Sequence, residues 1–259
     1  MRRGVAAGAI LLAVSGAMCR QEVGSGPLTL SLGSFVTLVA LVVAAFVWAL
    51  AVWARKPGED RSTTFRWGVA GLVMLVLWMA PSGIAAARGV ITFTGRPPTF
   101  FLCLLATTLA TTVLAFSPVG TRLVAGIGFA GLIGFQAFRL PLELLLHRLH
   151  EEGLLPVQMT FAGSNFDIVS GVLGLIVGVW SLRSRLSRGV ILGFNLIGLA
   201  LLVTIVGIAI VSMPTPLRRF HNEPSAAIVA TWPFIWLPTV LVQAAWFGHL
   251  LVFRKLASR

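Results

Sequence analysis

The sequence predicts an all-α membrane protein, a bundle of about seven transmembrane helices, preceded by a signal sequence or a short extra helix. Three observations predict it. The chain of 259 residues is 57% hydrophobic and only 11% charged, whereas a soluble domain carries about a quarter charged residues. Its apolar residues fall in long runs, each near the ~20 residues a helix needs to cross a bilayer core. Backbone polar groups must pair internally in lipid, so runs of this length are helices. Strands of a membrane barrel are about half as long and alternate in polarity, which these runs do not.

In chain order, Arg2 and Arg3 precede the apolar stretch 4–18, which ends in Ser15-Gly16-Ala17. A charged start, a short apolar stretch and small residues make a signal-peptide pattern, with a short first helix as the rival reading of residues 1–20. The remainder, 21–259, reads as one polytopic domain. Seven stronger runs lie near 29–54, 66–87, 99–116, 122–148, 165–182, 189–212 and 230–253. Their short connections make neighbours antiparallel. Gly126, Ala130 and Gly134 recur every fourth residue, as do Ser170, Gly174 and Gly178. Small residues at that spacing let membrane helices approach closely, here within one bundle.

Loop charge sets the orientation. With the residues before the first run outside, the inner segments carry eleven Lys and Arg and the outer loops five. Basic residues favour the cytoplasmic side, which places the N-terminus outside and the C-terminus inside a bacterial cytoplasmic (inner) membrane. The net charge of +12 then meets anionic headgroups. No basic cluster is interleaved with exposed aromatics, which speaks against nucleic acid. Tyrosine is absent, so the eight tryptophans supply the interfacial belt. Cys19 and Cys103 form no metal-binding spacing. Gly16-Ala17-Met18 before Cys19 fits a lipoprotein signal poorly.

The chemically informative segment runs from Gly134 to Asp167. Gln136, Arg139, Glu143, His147 and His150 are three or four residues apart, one stripe on a continuous helix. Pro141 is expected to kink or break that helix, leaving 141–152 as an amphipathic piece near the outer interface. Charges at membrane depth must pair or face water. Arg139 can pair with Glu143 on its own helix or with Asp167 on the next. Gly153 and Pro156 end the helix, and Ser164 with Asp167 reads as a capping box for the following span, with Asn165 as the alternative cap. A second outer loop, 214–224, brings Arg218, Arg219, His221, Asn222 and Glu223 to the same side. Trp232, Pro233, Trp236 and Pro238 then predict a bent or unwound start to the last span. Thr107, Thr108, Thr111 and Thr112 are expected to bond their own backbone, and His249 to sit at the inner interface.

Arg139-Leu-Pro-Leu-Glu143, the stretch 159–167 and Trp232-Pro-Phe-Ile-Trp-Leu-Pro238 resemble a family of bacterial polytopic membrane proteins of about seven helices. The resemblance covers roughly the C-terminal half and implies no activity.

Three functions fit. The first is binding or transport of a small anionic or zwitterionic solute in a polar pocket open to the outside. Its candidate ligand-binding residues are Arg139, Glu143, His147, Asn165, Asp167, Arg218 and His221, with guanidinium forks suited to carboxylates and phosphates. The second is a membrane-embedded enzyme using Glu143, His147, His150, Asp167 and His221. His147-x-x-His150 is a weak metal pattern, and no metal site or cofactor is assigned. The third is a seven-helix sensor or assembly factor without chemistry. The bilayer is the partner common to all three.

Overall fold

The computed structural model describes residues 26–53 and 60–258. The signal-sequence reading of 1–20, Cys19, Arg55, Lys56 and Arg259 lie outside the described residues. Every regular element among them is a helix: α1 (Gly26–Trp53), α2 (Arg61–Ala87), α3 (Thr99–Phe116), α4 (Pro118–Gly126), α5 (Phe129–Phe135), α6 (Arg139–Glu151), α7 (Ile168–Arg183), α8 (Arg188–Ser212) and α9 (Val242–Ala257). Six segments are long and apolar enough to cross a membrane, and α7 is a shorter apolar helix of 16 residues. Val113 is 70% exposed, Leu77 69% and Leu182 76%. Apolar side chains exposed in this number suit a surface solvated by hydrocarbon, not water.

The run expected at 122–148 is not one helix. Ser117 caps α4 with its hydroxyl and Pro118 opens it. Ile127 is extended and ends it. Gly126 lies against the Trp53 backbone, a place with no room for a side chain. The membrane crossing is instead Phe129–Glu151, made of α5, a 3₁₀ turn at Gln136–Phe138, and α6. Pro141 sits in the first turn of α6, where its missing N–H costs no helical bond. The irregularity expected at Pro141 therefore falls in the 3₁₀ turn before it. Nor is α6 an interfacial piece, because Leu142, Leu145, Leu146 and Leu149 are all buried in the core.

The end of α6 follows the expected signals. Gly153 adopts φ +71, and its N–H reaches His150 O while that of Leu154 reaches Leu149 O. This is the Schellman arrangement, for which glycine suits the left-handed residue. The chain then turns back into the bundle through 152–167, with a 3₁₀ turn at Val157–Met159. Leu155, Met159, Thr160 and Asn165 on this return segment are buried. Irregular backbone at membrane depth is tolerated where protein surrounds it. A second irregular segment precedes α9: a 3₁₀ turn at Ala226–Ala230 and a π-turn at Leu237–Leu241, as the prolines predicted.

The small-residue seam packs within the molecule. α7 crosses α5 and α6 so closely that a Cβ on Gly178 would meet Gly134 Cα at 2.7 Å. One on Gly174 would meet Ala137 N at 3.0 Å, and one on Gly171 Leu140 N at 2.5 Å. α9 is the central helix, with Ala245, Phe247, Gly248, His249, Leu251 and Val252 buried. At its C-terminal end, Arg254 donates to Ala115 O at the end of α3, Lys255 to Val124 O (2.5 Å), and Arg188 to Leu256 O (3.2 Å). The basic residues of this end thus cap the carbonyls that neighbouring helices leave open.

Candidate functional site

Arg139 follows the 3₁₀ turn near the middle of its membrane-crossing segment and is 1% exposed. Its partner is Asp167, on the next span, and not Glu143 on its own helix. Nε donates to Asp167 Oδ2 (2.6 Å) and Nη2 to Oδ1, a two-pronged pair that suits a planar guanidinium. Nη1 donates to Gly198 O (3.2 Å) and to His249 Nε2 (3.2 Å). Gly198 permits that approach, since a Cβ there would lie 2.6 Å from His249 Cε1.

His249 is therefore not an interface residue: it is fully buried beside Arg139. A guanidinium can only donate, so Nε2 accepts and the proton sits on Nδ1. Nδ1 donates to Asn195 Oδ1 (2.8 Å), and Asn195 Nδ2 donates to His249 O (3.2 Å). Sequence reasoning put His249 at the inner interface and did not bring Asn195 to it. Their spacing along the chain carries no sign that α8 and α9 bring them to one guanidinium.

Asp167 precedes α7 in the cap position, but its side chain caps nothing. The expected capping box does not form, because both carboxylate oxygens are turned to Arg139. Asn165 orders the turn instead: Oδ1 accepts from Asp167 N (3.0 Å), and Nδ2 donates to Met159 O (3.0 Å) and to Glu143 Oε2 (2.6 Å). Among the described residues no donor reaches Glu143 Oε1. Arg139, Glu143, Asn165 and Asp167 are thus brought together by the return segment.

Beside them lies a cavity. Its volume is about 60 Å³. Among the described residues, the charged ones that line it are Arg139, Glu143 and Asp167. Most of the wall is apolar, including Leu142, Met159, Leu202, Ile205, Leu241 and Ala245. Half-buried Leu104 of α3 and Val206 of α8 also line it, and their neighbours Leu105 and Val203 are 56% and 58% exposed. The mouth therefore opens on the apolar flank of the bundle.

The other predicted residues lie elsewhere. His147 stacks on Phe161 (4.4 Å between rings) and is 3.7 Å from Glu151. Glu152 accepts from Ser31 (2.5 Å) and Arg148 (3.3 Å). Arg218 donates to Phe220 O, Asn222 O and Glu223 (2.7–2.9 Å), closing its own loop. These hydrogen bonds from Arg218 hold the Glu223 carboxyl below the usual carboxylate range. His221 is exposed beside a shallow depression with Arg218 and Phe93. Asn222 joins the loop to the return segment through Gln158 (2.9 Å). Among the described residues no group of three His, Cys, Asp or Glu side chains is placed to hold a metal ion.

What stands of the resemblance is its coarser content, an all-helical protein with six apolar helices long enough to cross a membrane. No family model, no curated protein and no solved structure matches this chain, so its function has to be read from its own residues.

Proposed function

We propose that the protein binds, or carries, a small amphiphile drawn from the membrane, with an apolar body and a hydrogen-donating head seated on Glu143. One observation carries this reading. Glu143 stands at the polar end of a cavity that is otherwise apolar and opens toward lipid, and among the described residues Asn165 alone donates to it. A mostly apolar pocket with a few convergent polar groups is the usual form of a small-molecule site. Both discontinuous segments line it, through Met159 and Asp167 on one side and Val229, Leu237 and Pro238 on the other. Broken helices at mid-membrane are common where solutes bind.

The head is a donor for a chemical reason. Arg139 and Arg218, the forks that suggested an anionic solute, have donors engaged by the protein's own acceptors. Arg139 and Asp167 engage each other, which leaves Glu143 as the acceptor of the site. A hydroxyl or an amine therefore suits it better than a carboxylate. The excess of basic residues at the α9 C-terminal end supports an orientation with that end in the cytoplasm of a bacterial inner membrane.

The test is a thermal-stability series on the full chain in nanodiscs, with matched long-chain alcohols, amines and carboxylic acids. Ligands that bind only the folded protein raise its melting temperature by mass action. An alcohol or amine should stabilise, with affinity reduced about threefold to tenfold in Glu143→Gln, the order expected for one hydrogen bond. Absence of stabilisation by any series, or equal binding by the Gln variant, would overturn the proposal.

A further inference from the structure

The opposite face of α9 carries a second cavity, of about 80 Å³, lined by Phe46, Met74, Leu75, Trp78, Phe135 and Gln243 among others. Among the described residues no charged side chain lines it. Gln243 is 4% exposed, and its Oε1 has no hydrogen-bond partner. The amide cannot be turned round to relieve this. Nε2 lies 3.0 Å from Pro238 O and 3.1 Å from Thr108 Oγ1. A carbonyl only accepts, so the atom facing Pro238 must be the nitrogen. The Thr108 hydroxyl donates to Leu104 O at 2.8 Å, so it too receives a proton from Gln243. Both amide protons are thereby engaged, and only the acceptor is left.

The surrounding backbone is built to keep it so. The π-turn at Leu237–Leu241 frees carbonyls that side chains then take up: Gln243 at Pro238 O, and Trp78 Nε1 at Thr239 O (2.8 Å). π-turns often mark functional sites. A buried carbonyl oxygen without a donor is costly, and a ligand bearing a donor would relieve that cost. Gln136 Oε1 is also unpaired, but Gln136 lines neither cavity. Half-buried Phe46, Met74, Leu75 and Leu114 line the second cavity, and the adjacent Leu72, Val73, Val76 and Leu77 are exposed. Its occupant therefore comes from the hydrocarbon phase.

We infer that this cavity is a binding site for a neutral, hydroxyl-bearing lipid whose O–H donates to Gln243 Oε1. The absence of charge in the lining excludes ionic heads, and the lone acceptor requires a donor. The inference does not depend on the Glu143 reading, since the two cavities lie on different faces of α9.

The test uses the full chain in nanodiscs with a diazirine-bearing long-chain alcohol and its methyl ether, the adducts being mapped by peptide mass spectrometry. The alcohol should label the segments holding Phe46, Met74, Leu75 or Trp78 about threefold to tenfold more than the ether, the worth of one neutral hydrogen bond. Gln243→Leu should abolish that preference. Leu75→Trp, which fills the groove without touching the Gln243 hydrogen bonds, should block labelling in a folded protein. Glu143→Gln should leave it unchanged, which separates this result from the fate of the first site. Equal labelling by alcohol and ether would mean a groove for acyl chains only, and no labelling a cavity filled by water. Either result overturns the inference.

Discussion

At the scale of the residue, the balance to weigh is the cost of burying Arg139 against what the protein gives it. An isolated charge in an apolar interior is expensive, and a pair recovers that cost only with good geometry and further hydrogen bonds. Arg139 has both, in a two-pronged contact with Asp167 and in two acceptors from α8 and α9. Removing one partner leaves the other charged and unmatched. Asp167→Asn and Arg139→Met should each destabilise the folded protein by about 3–5 kcal/mol. The double variant Arg139→Met/Asp167→Leu should lose less than the sum of its single changes. Reversible unfolding in detergent measures this, and single variants that unfold like the wild type would show the pair to be dispensable. Glu143 differs in kind. Its one strong contact is to Asn165, so Glu143→Gln should fold, which is why it serves as the binding test.

At the scale of the element, glycines decide how closely the seam closes. Gly178→Ala must push α7 away from Gly134, since the new Cβ would sit 2.7 Å from a backbone carbon. Overpacking of this kind costs about 1–3 kcal/mol. A Cβ on Gly193 in α8 would meet nothing within 4 Å, so Gly193→Ala should be neutral or stabilise by up to about 1 kcal/mol through helix propensity. The unfolding free energy should fall in Gly178→Ala and not in Gly193→Ala; a Gly178→Ala variant as stable as the wild type would show that the seam is not tight. The threonines of α3 make a related point. Thr107, Thr108 and Thr112 bond their own helix as expected, and two of them also accept from Gln243 and Trp246 of α9 (3.1 and 2.9 Å). A polar stripe that looked self-contained along the chain is also a helix–helix contact.

At the scale of the whole molecule, the basic residues divide between the two ends of the bundle. Arg188, Arg254 and Lys255 share one end, and Arg122 stacks over Trp67 (4.7 Å). The loops carrying Arg96, Arg218 and Glu223 belong to the opposite helix ends. In a background without native cysteines, Ser187→Cys should react with a membrane-impermeant thiol reagent only after the cells are opened, and Glu223→Cys in intact spheroplasts. The reverse pattern would invert the orientation that the basic residues favour.

Composition and run length were enough to determine an all-helical membrane bundle, because lipid leaves the backbone no other way to satisfy its polar groups over such stretches. Local signals of one or two residues were equally legible: the Gly153 cap, the proline-broken entry to α9, and the small residues of the seam. Pairing across the bundle was not. Asp167 was visible both as a cap and as a partner for Arg139, and only the return of 152–167 into the bundle chose between them. His249 looked peripheral because distance along a helix does not reveal which neighbour faces it. Arg218 and His221 lie beyond the end of α8, and their loop closes on itself. Hydropathy reports the solvent around a segment, whereas a site depends on which side chains meet, and tertiary packing alone decided that.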